Sequence, residues 1–338
     1  MSPDDATSRP LASVSLDVDN LWSYQKTHGD AGWESRPSYL DIFLPHALDA
    51  LDELGLRITF FLVGIDAEQP ANGASLRAVT ARGHEVGNHS FEHEPWLHLY
   101  DRSRLEAEIG RAEDSIAEAT GERPIGFRGP GYSWSPALLE VLAARGYLYD
   151  ASTLPTYLGP FARTYYFWNA HLSAAQKAER ASLFGSFGDG LRPLKPYRWQ
   201  LDSGSMLLEI PVTTFPGIKT PFHLSYLLFL SRFSEELMVG YLRTALAACR
   251  LTGIEPSFLL HPLDLLGGDQ VPQLAFFPGM DLTGRRKVEL FHRVLRVLGE
   301  HYTLVNMSTH ARSLLARPRL RTLVPAATAV AGVPSALG

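Results

Sequence analysis

The stretch Ser13-Val14-Ser15-Leu16-Asp17-Val18-Asp19 alternates without a break between small or acidic and aliphatic residues. Successive side chains of a strand point to opposite faces, so Val14, Leu16 and Val18 share one face and Ser13, Ser15, Asp17 and Asp19 the other. Two carboxylates then point the same way at the end of a strand. Such a pair is costly unless a cation or a shared proton relieves it.

A second stretch supplies what such a cation would need. In Gly83-His84-Glu85-Val86-Gly87-Asn88-His89-Ser90-Phe91-Glu92-His93 the imidazoles of His89 and His93 are four apart. If Ser90 to His93 make one helical turn, both rings lie on one face with Cβ atoms ~5–6 Å apart, a metal-ligand spacing. By itself the pair fits two surface histidines better. The carboxylates of the first stretch shift the balance.

Outward from these segments, strand and helix alternate. Tyr39 to Leu54 carries an apolar stripe of helical period, with Gly55 placed to end it. Arg57–Val63, Glu85–Gly87, Ile125–Arg128, Tyr147–Asp150, Met206–Val212, Ser257–His261 and Tyr302–Asn306 read as strands. Ser75–Arg82, Ser103–Ala119, Ser135–Arg145, Glu235–Thr252 and Gly284–Leu298 read as helices. Seven or eight strands interleaved with helices predict parallel strands in a barrel or doubly wound sheet. In such barrels chemistry sits at the strand C-termini. Asp17, Asp19, His89, Arg128, Asp150 and His261 all fall at or just after a strand end.

Asn20 to Ser38 is rich in aromatics and turn formers and reads as a long loop over the strand end. Two further regions break the rhythm. Thr156 to Asp202 is aromatic and irregular, with Phe161, Tyr165, Tyr166, Phe167, Trp168, Phe184, Phe187, Tyr197 and Trp199. Phe222 to Phe233 is apolar with few charges. The last two read as insertions that either cap the barrel mouth or pad its outside. Residues 1–11 form an N-terminal extension, 12–316 a single domain, and 317–338 a tail with the composition of a poorly ordered segment.

Composition narrows the class. Hydrophobic residues are 45% and charged residues 20% of the 338, enough apolar content for a sizeable core. The net charge is −5 with no basic block, which argues against a nucleic-acid partner. A single cysteine, Cys249, rules out an intrachain disulfide and reads as buried packing. Met1 to Arg9 is polar and lacks the apolar core of a secretory signal. The longest apolar run, Leu224 to Leu230, is far short of the roughly 20 residues that span a bilayer. The expectation is a cytoplasmic protein without a transmembrane segment, peripheral membrane contact remaining open. Oligomeric state is not legible.

Asp17-Val18-Asp19, His89-Ser90-Phe91-Glu92-His93, Arg128-Gly129-Pro130, Tyr147-Leu148-Tyr149-Asp150 and Leu259-Leu260-His261-Pro262 follow one another in the order of the polysaccharide deacetylase, or NodB-homology, family. The resemblance covers roughly Ala12 to Leu315. It implies a deformed (β/α)7–8 barrel with one divalent metal per chain, usually zinc, and hydrolysis of acyl groups on sugars. It implies metal ligands at Asp19, His89 and His93 and a general base at Asp17 that Arg128 holds in place. It also implies an oxyanion donor at the Gly131 N–H and a general acid at His261. Asp264 would orient that acid or cap a helix. Asp150 would support the acid or simply cap a strand. Trp22, Tyr132 and Trp134 are candidates for stacking on substrate. The remaining histidines, His223 among them, read as structural or exposed, with His98 a candidate neighbour of the metal ligands.

One departure stands out. The family's first motif is usually two adjacent aspartates, whereas Val18 intervenes here. This Asp-x-Asp form is similar to an intracellular branch that includes deacylases of lipid-linked or small substrates and metal-independent cyclic-amide hydrolases of the allantoinase type. The expected activity is removal of an N-acyl group, acetyl or formyl, from an amino sugar in a small glycoside, nucleotide sugar or lipid-linked sugar. A metal-independent cyclic-amide or ureide hydrolase and a non-catalytic glycan-binding barrel are the rival readings.

Overall fold

The first strand of the computed structural model, β1 (Leu11–Asp17), lies among three strands that converge on it from distant parts of the chain. The structure describes residues 9–157 and 190–325. Along one edge β1 pairs in parallel with β2 (Thr59–Leu62), which continues to β3 (Glu85–Asn88), β4 (Gly126–Phe127) and β5 (Tyr149–Asp150). On its other edge β1 pairs with β8 (Ser257–Leu260), and its N-terminal end also pairs with β9 (Thr303–Val305). Beyond β5 lies β7 (Met206–Glu209), parallel to β5 and joined to β6 (Tyr197–Gln200) in an antiparallel hairpin. β6 in turn pairs with β10 (Arg321–Leu323).

The sheet closes on itself through the residues that follow β7. Ile210 N–H donates to Asp150 O and Val212 N–H to Thr153 O, which carries this segment along β5. Thr213 N–H then donates to Ser257 O, and Ser257 N–H donates to Thr213 Oγ1 at 2.8 Å. The result is a deformed (β/α) barrel in which β1, β2, β3, β4, β5, β7 and β8 form the wall.

The alternation of β1 is realised. Val14 and Leu16 pack in the large core under the surrounding helices. Ser13, Ser15 and Asp17 turn to the barrel axis, where they meet His310 and Arg128. The helices are α1 (Leu21–His28), α2 (Leu40–Asp52), α3 (Gly64–Ala67), α4 (Gly73–Ala81), α5 (Arg102–Thr120), α6 (Pro136–Ala144), α7 (Leu224–Ser231), α8 (Glu235–Thr252), α9 (Gly284–His301) and α10 (Met307–Leu315). Most cover the outside of the barrel with one apolar stripe. α10 instead plugs the floor: Met307, Ala311 and Leu314 pack against Phe61, Tyr149 and Leu208. Its first N–H groups donate to Thr59 Oγ1 and Glu85 Oε2. Its His310 bonds Ser13 Oγ at 2.9 Å.

Three sequence expectations need correction. Asn20 to Ser38 is not all loop, because Asn20 caps α1 by accepting from Leu21 N–H. Residues 321–323 of the supposed tail form β10, which finds its partner in β6 rather than in local sequence. Of the aromatic region, Tyr197 and Trp199 are buried strand residues of β6. Phe161 to Phe187 lie outside the described residues. The apolar Phe222–Phe233 segment contains α7. Among the described residues, no helix is long and apolar enough to cross a membrane.

Candidate functional site

Asp19 sits two residues beyond the end of β1, at the corner into α1. Asn20 fixes that corner. Its Oδ1 accepts from Leu21 N–H and Tyr39 N–H, and its Nδ2 donates to Asp66 Oδ1 at 2.8 Å. The Tyr39 hydroxyl donates to the Asp19 carbonyl. Thus the carboxylate is held by backbone on a short, capped connection.

The histidines arrive by a different geometry from the helical turn that their spacing suggests. Residues 89–94 contain no helix, and Ser90 and His93 both adopt positive φ, 65° and 54°. Non-glycine residues rarely take that conformation, and it persists only where surroundings impose it. Here Glu108 of α5 imposes it: Oε1 accepts from Phe91 N–H at 2.9 Å and Glu92 N–H at 2.7 Å. Ser90 N–H donates to Asn88 Oδ1, and His93 N–H to Ser90 Oγ. The turn brings the two imidazole centroids to 5.0 Å.

Asp19, His89 and His93 converge. Asp19 Oδ1 lies 2.9 Å from His93 Nε2 and 3.5 Å from His89 Nε2. One ligand atom from each lies within 4.8 Å of the others, and no other such group occurs among the described residues. Burial works to raise the Asp19 carboxyl, but the two imidazoles outweigh it and hold it well below the usual carboxylate range. For His89 burial works downward, and Asp17 and Asp19 overcome it, so its pKa is raised. His89 Nδ1 faces the Arg128 carbonyl at 2.6 Å. A ring donating there presents the Nε2 lone pair to a cation. The donor set, one carboxylate and two imidazoles with solvent access on the Asp19 and His93 side, suits a cation that keeps open coordination positions.

Asp17 and Arg128 form a buried pair beside this cluster. Arg128 has no exposure, and its Nη1 donates to Asp17 Oδ1 at 2.6 Å and to Ser15 Oγ at 2.9 Å. The guanidinium also lies over the Phe61 ring, 4.4 Å from its centroid. The following Gly129-Pro130-Gly131-Tyr132 turn places Gly131 and Tyr132 at positive φ. Tyr132 N–H is engaged by Gly129 O, whereas Gly131 N–H takes no acceptor among the described residues. The Tyr132 hydroxyl is raised by burial and then by Asp17, which places the ring against the acidic site.

His261 ends β8 across the cavity. Its Nδ1 lies 3.3 Å from Ser225 Oγ and 3.9 Å from Asp264 Oδ2. Asp264 also accepts from the His261 N–H at 2.8 Å, so it both caps the short turn after β8 and faces the imidazole. Burial raises the Asp264 carboxyl, with His261 opposing. His223, at the N-terminus of α7, sits edge-on to His261 with centroids 6.1 Å apart. Burial and then His261 push the His223 pKa down to about 3, so it stays neutral.

Several site expectations fail. Asp150 does not reach the acid. It is fully buried in register with Glu209 of β7 and accepts from Ser152 Oγ at 2.5 Å. Burial raises both carboxyls, as expected of a carboxyl pair sharing a proton. Trp22 is 2% exposed, donates Nε1–H to Asp66 Oδ1 at 2.9 Å and meets His93 in a T-shaped pair with centroids 6.2 Å apart. Trp134 stacks on Trp199 in a second core, centroids 5.1 Å apart. Neither indole presents a face to a substrate. His98 bonds Ser133 rather than approaching the cluster. Sequence reasoning missed Glu108, and also Tyr24 and Phe277, which line the cavity with Asp19 and His261. Leu228 and Phe229, in the same lining, fall in the apolar Phe222–Phe233 segment read as a cap or padding; Glu108 gave no signal, because a glutamate in an amphipathic helix looks solvent-exposed.

A carboxylate–bis-imidazole cluster thus stands beside a buried Asp–Arg pair on a deformed (β/α) barrel, a donor set that suits a divalent cation. The polysaccharide deacetylase family model matches residues 30–149. A chitooligosaccharide deacetylase from Sinorhizobium fredii is 33% identical over 106 residues, 31% of this chain and 48% of that protein. The chain spans about half or less of the length of the curated relatives it matches. Among solved structures, a Mycobacterium smegmatis protein assigned to the polysaccharide deacetylases superposes with a TM-score of 0.62 at 20% identity, covering 97% of both chains. The allantoinase Puue gives 0.57 at 17% identity, covering 93% of both. These two share the fold. Over residues 30–149, just over a third of the 338, the chain is similar to the polysaccharide deacetylase, or NodB-homology, family. The matched segment holds His89, His93 and Arg128; Asp17, Asp19 and His261 lie outside it and join the site through the fold alone.

Proposed function

We propose that this chain is a metal-dependent amidohydrolase that removes an N-acyl group, acetyl or formyl, from an amino sugar. The observation that carries the reading is the convergence of Asp19, His89 and His93 within 4.8 Å, with Asp17 on one side and His261 on the other. Asp19 and His261 line the same cavity of about 290 Å³. A divalent cation, zinc by donor type, would be held by Asp19, His89 and His93 and would supply Lewis acidity toward an acyl oxygen and an acidified water.

The chain's own groups do the rest. Asp17 is an oxygen acceptor fixed by Arg128, whose Nη1 is itself held by Ser15 Oγ, and takes the proton of the attacking water. Gly131 N–H meets the charge that develops on the acyl oxygen, a role that needs a donor not engaged elsewhere. His261, held between Ser225 and Asp264, delivers a proton to the departing amine. The complete ligand triad weighs against the metal-independent cyclic-amide reading.

The test is release of acetate or formate from N-acyl glucosaminides by the purified protein, with and without chelator. Chelation should abolish turnover and zinc restore it. Asp17→Asn should cut kcat by ~100- to 10,000-fold, the usual worth of a general base, while calorimetry shows zinc still bound. Zinc-free protein with undiminished turnover, or Asp17→Asn at full rate, overturns the reading.

A further inference from the structure

The cavity that holds Asp19 and His261 does not end at them. It runs outward between α7 and the segment before α9, where its lining becomes Leu228, Phe229 and Arg232 on one side and Phe277 and Pro278 on the other, with Tyr24 at its inner end. Phe229 is 48% and Phe277 38% exposed, so both rings offer apolar surface along the same cavity. Phe277 is held edge-on against Tyr24, centroids 5.3 Å apart, and Phe229 against Phe233 at 5.6 Å. One wall is thus braced from inside by Tyr24, while the other is a pair of exposed rings on and just after α7.

Among the described residues, polar partners are scarce along this outer stretch. Arg232 already faces Asp281 at 3.3 Å. Lys287 also lines the cavity, but its ammonium donates to the Leu263 and Leu266 carbonyls at 2.6 and 2.8 Å. Each hydroxyl of a second or third sugar ring would need a partner here, and a buried hydroxyl without one opposes binding. The volume of about 290 Å³ is at the low end of the ~300–1,000 Å³ typical of small-molecule sites. It suits one sugar ring and a slim apolar group better than an oligosaccharide.

The orientation of that group follows from which catalytic side the corridor adjoins. His261, on the side of the leaving amine, lines it; Gly131, on the side of the acyl oxygen, does not. We infer that the corridor is a subsite for an apolar aglycone carried on the amine half of the substrate, so that the natural substrate is an amphipathic amino-sugar conjugate rather than a polymer. The inference rests on the N-deacylase reading above.

Octyl and methyl glycosides of N-acetylglucosamine, used below the octyl compound's micelle concentration, give the test. The zinc-loaded protein should hydrolyse the octyl glycoside with at least ten-fold higher kcat/KM. Octyl glucosaminide, the deacylated product, should bind at least ten-fold tighter than methyl glucosaminide by calorimetry. Phe229→Ser and Phe277→Ser should each pull both ratios toward one, and Leu251→Ser, an 89% exposed leucine on α8, should leave them alone. Equal rates and equal affinities for the two chain lengths overturn the subsite while leaving the deacylase reading intact. Absent hydrolysis of both glycosides, with the product affinities still ten-fold apart and sensitive to Phe229→Ser, sinks the deacylase reading and keeps the apolar subsite.

Discussion

At the scale of single residues, the site depends on a charge pair that neither partner could tolerate alone. Arg128 has no exposure and Asp17 is 4% exposed. Removing one member of such a pair leaves an uncompensated buried charge. Arg128→Met should therefore destabilise the protein by about 3–5 kcal/mol, read as a lower urea midpoint at unchanged slope. Adding Asp17→Leu to it should recover part of the loss. If the single variant unfolds at the wild-type midpoint, the carboxylate is neutralised some other way. His84 makes a second residue-scale case. Its Nδ1 accepts from Ile58 N–H at 3.2 Å, which requires the neutral ring, and burial, then Arg57, pushes its pKa down to about 4. The unfolded chain binds this proton near the ordinary pKa of ~6.5 and the folded chain does not. Stability from this group is thus complete above about pH 6.5 and declines as pH falls toward 4, by roughly 3 kcal/mol in all. His84→Asn, which keeps an acceptor but does not titrate, should flatten that decline when urea midpoints at pH 7 and 4.5 are compared. A difference between variant and wild type that does not change with pH would exclude His84 as the source.

At the scale of elements, the histidine turn shows both what sequence could reveal and what it could not. The strict alternation of β1 foretold which residues face the barrel axis, because a strand's side-chain period depends on nothing beyond the strand. The four-residue spacing of His89 and His93 foretold that the rings meet, but for the wrong reason. Helical spacing and a pinned left-handed turn both bring such residues together, and only the second needs Glu108 from a helix later in the chain. For the same reason the indoles of Trp22 and Trp134 looked like stacking platforms until their partners, Asp66 and Trp199, were in place. Glu108 therefore carries a prediction. It is the acceptor for two N–H groups in the turn that holds both imidazoles. Glu108→Ala leaves those donors without it and loosens the strained φ angles at Ser90 and His93. Zinc affinity should fall ~10- to 100-fold, as for partners that orient metal ligands, although residue 108 touches no ligand side chain. Calorimetric titration with zinc checks this; an unchanged affinity would mean that the turn holds its shape by itself.

At the scale of the whole molecule, closure of the barrel brings His261, the proposed acid, to the Asp19–His89–His93 cluster. β8 carries His261 at its end and is tied to β1 on one side, and on the other, among the described residues, it bonds the wall through the Thr213–Ser257 seam. No local pattern announces that seam: residues 210–214 lack a strand's length, and the pairing joins positions 44 residues apart. The hairpin β6–β7 and the late strand β10 are hidden likewise, since each is stabilised by a partner distant in the chain. The seam's weak point is Thr213, 2% exposed, whose Oγ1 accepts from Ser257 N–H at 2.8 Å. Thr213→Val preserves shape and the backbone bond but orphans a buried N–H, which should cost about 1–3 kcal/mol. Thr213→Ser keeps the acceptor and gives up only a methyl group, so it should lose about 1 kcal/mol. Because β8 positions His261, the valine variant should also lower kcat/KM, and amide exchange at Ser257 should accelerate more than at Phe258. Valine and serine variants with equal stability and equal exchange at Ser257 would show that the barrel closes without this hydroxyl.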